Sequence, residues 1–496
     1  MIANILIDGQ AGQGPNTLAK VIGKCLVKWG YFVFVSRDYG SFIRGGHNCN
    51  ALTLSDKPIM SNIKKVDILV SLDKSAENSH KPEISKNSIV IENDGEDNMY
   101  FAGKLLKLLG IDFDLLKAEL QKLKKFEENL KHAKKGYDEE KTKLQLKKIS
   151  SKAYLMDGAN GVAQGAIKSG LDVYFAYPMT PATSLLNELA EKQNENNYLV
   201  LELENEISVI NTAIGSAIAG AKSMIGTSGG GFDLMTEALS LTGIAQVPLV
   251  AYLAQRPGPA TGAPTYTSQG DLNMALGAGH GEFSRLVVAP GEPSEAQALT
   301  NQAFHFSQKY KIPCIILSDK HLAESLYTLG EEPKLIPVPK SASLRKYNSY
   351  ECDEKGIATE NADLIKKNAE NRLKKQKEIE KEAKKFEMFK IHGKKDSKNL
   401  VLFWGSTKGA VLDAIRDLDV KALQILYMEP FPEQIKSELE KAKNILIVEN
   451  NSTSPLSSLI AEKTGIFIED RNKILRYDGR PFLSDELNEE IKRRIK

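Results

Sequence analysis

Short apolar runs separated by stretches of helical periodicity recur along the whole chain. In the first 140 residues the runs Ile5–Asp8, Tyr31–Ser36, Asp67–Leu72 and Ser88–Ile91 predict strands. Leu18, Ala19, Ile22 and Leu26 fall on one helical face after the first run, and Phe101 to His132 reads as helical with a Lys/Glu-rich outer face. Between 153 and 335 six more strands are predicted: Val173–Tyr177, Tyr198–Glu204, Ser223–Thr227, Val247–Ala254, Arg285–Ala289 and Pro313–Leu317. A third set follows over 399–496, at Leu400–Trp404, Ala422–Met428 and Asn444–Glu449. Strands alternating with helices imply three α/β units, the first built on a parallel, doubly wound sheet. The units fall at 1–140, 153–335 and 399–496. The polar stretch 141–152 reads as a linker. Residues 336–398 read as a charged connector, with a solvated Lys/Glu-rich helix over 352–397.

Composition narrows this picture only by exclusion. The 496 residues carry 66 basic and 64 acidic side chains, so charge implies no nucleic acid partner. No apolar run approaches a membrane span, and a strand begins at the first residues with no signal-peptide pattern, so a cytoplasmic protein is expected. The four cysteines, Cys25, Cys49, Cys314 and Cys352, form no C-x-x-C pair. They are expected to be structural thiols, and no metal ligands are assigned.

The candidate chemistry concentrates in loops at strand ends, where open α/β sheets build their sites. Residues 226–273 are rich in Gly, Pro, Ser and Thr. Arg256 heads a loop with no other charge from Pro257 to Gly270, which suits a fixed anion such as a substrate carboxylate. Tyr177-Pro178-Met179-Thr180-Pro181-Ala182 follows a strand. Thr180 is expected to cap the next helix, with Pro181 at its first position. At the following strand-to-helix turn, Glu206 heads an apolar stripe of Val209, Ile210, Ala213, Ile214 and Ala217. A glutamate pressed toward a core is a candidate for proton chemistry. The turn Gly9-x-x-Gly12-x-Gly14 lacks both the dinucleotide spacing and the Lys-Ser/Thr of a phosphate loop, and Arg44-Gly45-Gly46 suits either a phosphate or a protein surface.

In order along the chain these residues resemble the alpha subunits of 2-oxoacid:ferredoxin oxidoreductases with a gamma-type domain fused in front. The resemblance rests on Gly12-Gln13-Gly14, Tyr39-Gly40, Arg44-Gly45-Gly46 and Asn129 to Tyr137 in the first unit. In the second it rests on Tyr177 to Pro181, Glu204 to Glu206, Thr227-Ser228-Gly229, Arg256, Gly258-Pro259, Thr261-Gly262, Pro264-Thr265, Gln269-Gly270-Asp271 and His280-Gly281. In the third it rests on Val448-Glu449-Asn450 and Tyr477 to Pro481.

The resemblance implies a gamma-type α/β domain, a pyrimidine-type thiamine diphosphate domain and a transketolase-C-like domain. It implies oxidative decarboxylation of a 2-oxoacid with coenzyme A, giving acyl-CoA and carbon dioxide and reducing ferredoxin. Thiamine diphosphate is then shared with a beta subunit, which holds the magnesium ion and the iron–sulfur cluster. Glu206 matches the glutamate that hydrogen-bonds the cofactor's aminopyrimidine ring, with Ser228 and Gly229 beside the cofactor. Thr180, Arg256 and Tyr177 match the substrate end. Met179 and Ala182 stand where Ile and Ser are usual, which leaves the acid open. 2-Oxoglutarate is the first expectation, pyruvate or a branched-chain acid the second, and a non-catalytic scaffold the alternative of another class.

Overall fold

The computed structural model describes residues 2–40, 47–73, 80, 83–93, 95–149, 152–341 and 346–495. Arg44-Gly45-Gly46 lies outside them. The chain divides into two compact units. The first comprises Met1–Asp157, Glu324–Glu332 and Phe482–Glu489, and the second Gly158–Ala323, Pro333–Pro481 and Glu490–Lys496.

The first unit is a seven-stranded sheet in the order Ile84–Glu92, Val66–Ser71, Ile2–Gln10, His47–Ser55, Phe32–Tyr39, Leu326–Leu329 and Tyr154–Asp157. It is mixed rather than parallel. Ile2–Gln10 runs parallel to Val66–Ser71 but antiparallel to His47–Ser55. The patterning missed His47–Ser55 because its buried positions include Asn48, Asn50, Thr53 and Ser55. Thr53 is satisfied from neighbouring segments: Asn62 Nδ2 donates to Thr53 Oγ1 at 2.9 Å, and Thr53 Oγ1 to Asn4 Oδ1 at 3.1 Å; the Asn50 side chain is buried without a partner. The strands Tyr154–Asp157 and Leu326–Leu329, both within the 153–335 stretch, pair with each other in this first sheet. The helical stretch 101–132 is divided among Asn98–Leu108, Phe113–Leu120 and Phe126–Glu139. Pro15–Trp29 packs Leu18, Ile22 and Leu26 into the apolar core of this unit.

The second unit contains two sheets. The larger runs Tyr427–Glu429, Leu286–Val288, Pro313–Asp319, Leu249–Gln255, Ser223–Thr227, Val173–Ala176 and Leu199–Glu202. It is parallel except for its antiparallel edge, Tyr427–Glu429. All seven residues of Leu249–Gln255 and of Pro313–Asp319 are buried, as expected of parallel strands covered on both faces. The smaller sheet runs Phe389–Gly393, Lys421–Ile425, Asn399–Trp404, Asn444–Glu449 and Lys473–Leu475.

Phe389–Gly393 falls inside the stretch expected to be a solvated helix. It pairs antiparallel with Lys421–Ile425. Flanking lysines hide its alternation, and Lys390 is drawn onto the buried Glu295 at 3.0 Å. The helix that does form, Ala362–Ala383, buries Ile379, Glu382 and Ala383. Burial works against the Glu382 carboxylate, but Lys309, Tyr310 and His305 together hold its pKa down to about 2.

Candidate functional site

The order of strands in the larger sheet of the second unit places three loops at neighbouring strand ends. Val173–Ala176, Ser223–Thr227 and Leu249–Gln255 lie next to one another and run parallel. The segments leaving them carry Tyr177 to Ala182, Ser228 at the head of the helix Gly229–Leu234, and Arg256 to Gly270. This gathering follows the rule that ligands bind outside the carboxyl ends of parallel strands.

Glu206 begins the helix Glu206–Ile218, capped by Asn205, whose side chain accepts from Ser208 N at 2.9 Å. Val209, Ile210, Ala213, Ile214 and Ala217 are all buried, so the apolar stripe forms as its spacing predicts. Glu206 itself is 5% exposed. No side chain or backbone group among the described residues bonds or pairs with its carboxylate. Only glycine fits against it at position 231. A Cβ on Gly231 would lie 2.2 Å from Thr227 Oγ1 and 2.7 Å from Glu206 Oε1. Ser228, fully buried, has an unpartnered Oγ in the same turn.

Thr180 does not cap a helix. The helix is Thr183–Asn196, with Ala182 ahead of it. An N-cap carbonyl accepts the first intrahelical bond. Here the Thr180 carbonyl is taken by Arg256, whose Nη1 donates to it at 2.7 Å. Arg256 is thereby joined to the Thr180 turn, and the rest of its fork is available to an anion. Tyr177 follows the same strand, is 40% exposed, and has no hydrogen bond to either residue.

Asp271 received no role from the sequence beyond its place in Gln269-Gly270-Asp271. The structure sets it beside the glycine turn. A Cβ on Gly229 would lie 2.7 Å from Asp271 Oδ2, and that oxygen is buried without a partner. Burial pushes its pKa up to about 6, against the opposing pull of Arg256. Its backbone N–H donates to Gln255 Oε1 at 2.9 Å, and Gln255 Nε2 donates to Ser318 O at 2.9 Å, so the carboxylate is set by the sheet below.

The loop after Arg256 turns tightly. Gly262 has φ 53°, and a Cβ there would meet Pro257 O at 1.8 Å, so only glycine fits. The loop is then held by the smaller sheet. Gln269 N donates to Asn450 O and Asn450 N to Gln269 Oε1, both at 2.8 Å. Gln269 Nε2 reaches Trp404 O at 2.8 Å, Asn451 Nδ2 donates to Gln269 O at 2.9 Å, and the Arg480 guanidinium lies 3.9 Å over the Tyr266 ring.

A glutamate without a protein partner, close-packed glycines and an arginine-headed loop at parallel strand ends form a candidate ligand site of an α/β protein. Comparison with known proteins agrees. Residues 164–394 match the thiamine diphosphate-binding domain of pyruvate flavodoxin/ferredoxin oxidoreductases, and residues 4–97 match the pyruvate ferredoxin/flavodoxin oxidoreductase family. The 2-oxoacid:ferredoxin oxidoreductase subunit alpha of a Sulfolobus species is 29% identical, over 99% of this chain and 96% of that protein. The 2-oxoglutarate synthase subunit KorA of Methanocaldococcus jannaschii is 29% identical over 60% of this chain and 89% of that protein. In fold, the chain superposes on the 2-oxoglutarate:ferredoxin oxidoreductase of Magnetococcus marinus with a TM-score of 0.88 at 23% identity, covering 100% of both chains. That structure has 2-oxoglutarate, coenzyme A and succinyl-CoA bound. The chain belongs to the 2-oxoacid:ferredoxin oxidoreductase alpha subunits and is a subunit of an oxidoreductase. Among the described residues no helix is long and apolar enough to cross a membrane.

Proposed function

We propose that this chain is the alpha-type half of a cytoplasmic enzyme that oxidatively decarboxylates a 2-oxoacid, best 2-oxoglutarate, onto coenzyme A and passes the electrons to ferredoxin. The observation that carries this reading is Glu206: a glutamate 5% exposed, without a protein partner, packed against Gly231 at the head of its helix. Such an acceptor fits a ring that presents an N–H, and the aminopyrimidine of thiamine diphosphate is such a ring. When bound, thiamine diphosphate supplies the electron sink that loss of carbon dioxide from a 2-oxoacid requires.

In this reading Glu206 accepts the hydrogen bond at the pyrimidine ring and holds its proton. Ser228 Oγ, buried and unpartnered, stands as a second polar contact, and Gly229 keeps the turn open. Arg256 binds the substrate carboxylate with the guanidinium nitrogens that Thr180 does not occupy. Thr180 and the exposed Tyr177 flank it. Magnesium, the diphosphate grip and the iron–sulfur cluster belong to a beta subunit.

Expression of the chain alone and with a beta subunit tests this, with iron content and oxoacid-dependent reduction of viologen dye as readouts across a panel of 2-oxoacids. The chain alone is expected to be colourless and inactive, with both signals gained on co-expression and 2-oxoglutarate the best acid. A brown, active preparation of this chain alone contradicts the division of labour, and turnover of pyruvate above 2-oxoglutarate contradicts the choice of acid.

A further inference from the structure

The first unit carries a second cluster of reactive side chains, independent of the site above. Ile2–Gln10 and His47–Ser55 pair antiparallel, with Asp8 opposite Cys49 and Gln10 opposite His47. Side chains alternate faces with period two, so Asp8, Cys49 and His47 project from the same face of the sheet. His80 meets them there. Its Nε2 is 2.5 Å from Asp8 Oδ2, and His47 Nε2 is 3.0 Å from the same oxygen. The ligand atoms of His47, Cys49 and His80 all lie within 4.8 Å of one another. Asp8 is 0% exposed, and its other oxygen, Oδ1, is buried with no partner.

We propose that Asp8, His47, Cys49 and His80 form a four-ligand site for a zinc-class divalent ion.

The donor set decides the class. Two imidazoles, a thiolate and a carboxylate are the ligand types of tetrahedral zinc, whereas magnesium and calcium call for oxygen ligands alone. The distances suit a metal-free site that closes on the ion. Zinc bonds of about 2.0–2.3 Å place tetrahedral ligand atoms roughly 3.2–3.8 Å apart. The 4.8 Å spread therefore has to contract by about 1 Å, and the Asp8 contacts to open by less than about 1.5 Å. The two ring nitrogens already converge on one carboxylate oxygen, so the ion enters where protons now sit. Binding displaces the Cys49 thiol proton and the protons shared between Asp8 and the rings, and no redox change is involved. The sequence could not show the site: His47-x-Cys49 is one half of it, and Asp8 and His80 are supplied by other segments.

The test uses the full chain, purified alone in metal-free buffer and loaded with Zn²⁺ or Co²⁺. One equivalent of zinc should survive dialysis, measured by elemental mass spectrometry. The cobalt form should show strong tetrahedral ligand-field bands and a thiolate-to-cobalt charge-transfer band in the near ultraviolet. Cys49→Ser should lose the charge-transfer band, and His80→Asn should bind at least about tenfold more weakly. Failure of wild-type chain to retain zinc overturns the proposal, as does a pale cobalt spectrum without the thiolate band. Both are read on wild-type protein, whether or not the variants fold. Variants that fold and bind as wild type does also overturn it.

Discussion

Glu206 and Glu295 are the same residue at the same burial, and they are treated in opposite ways. Each is 5% exposed and each stands in the first turn of a helix. Glu295 is saturated. Lys408 Nζ is 2.6 Å away, Lys390 Nζ 3.0 Å, Gln424 Nε2 2.7 Å and Gly291 N 2.9 Å. Burial opposes its charge, yet the two lysines hold its pKa well below the usual carboxylate range. Glu206 has none of these partners. Helix-start acids are favoured by the free N–H groups there, but that alone does not repay burial. The contrast separates a carboxylate that holds two layers together from one left open for a ligand.

The sharpest way to break this comparison is Glu206→Gln. In the assembled enzyme it should lower turnover by roughly 10²–10⁴, the range of a positioned acid–base group, with folding preserved. A Gln variant with more than half of wild-type dye reduction ends the assignment. Next comes Glu295→Ala, which strands Lys408, itself 4% exposed on its side chain, against Glu292 alone. A loss of about 3–5 kcal/mol in denaturant unfolding is expected. A loss below about 1 kcal/mol would make the network incidental, given that range.

Asp271 lies between the extremes, partly served by Arg256. Its folded pKa of about 6 exceeds the usual 3.8, so the folded state holds its proton more tightly. That contribution is present in full at low pH and is lost as pH rises through about 6, up to about 3 kcal/mol at 1.36 per unit. Asp271→Asn should flatten the fall in stability between about pH 4 and pH 6, and an unchanged profile would deny that the burial matters. The smallest effect is at Arg256. Arg256→Ala should weaken kcat/KM ten- to a hundredfold, the worth of a charge-assisted bond of about 1.5–3 kcal/mol. Arg256→Lys should recover only part, because an ammonium cannot make the bidentate pair. Normal KM and kcat in both variants would place the carboxylate elsewhere.

What could be seen in advance followed from how each element is buried. Leu249–Gln255 and Pro313–Asp319 are apolar throughout because both faces are covered, so they stand out as runs. Glu206 was visible because it interrupts the head of an otherwise apolar stripe. His47–Ser55 was hidden because its core positions are polar: Thr53 bonds to Asn4 and Asn62, while the Asn50 side chain is buried without a partner. The Thr180 cap failed because the helix begins at Thr183 with Ala182 ahead of it, while the Thr180 carbonyl accepts from Arg256, 76 residues away. Asp271 was noticed only as part of a motif, since its isolation from donors depends on Gly229 and on the sheet beneath it.

The reciprocal bonds between Gln269 and Asn450 have a consequence for recombining this chain with its relatives. The Arg256 loop is moulded from one side by its own sheet and from the other by a segment almost two hundred positions downstream. A chimera joined between the two sheets inherits one half of the mould from each parent. It keeps the loop's shape only if both parents agree on the glutamine and on the paired asparagines at 450 and 451. Crossovers placed after Arg480 keep the mould whole, and those are the exchanges in which a change of substrate can be traced to the loop itself.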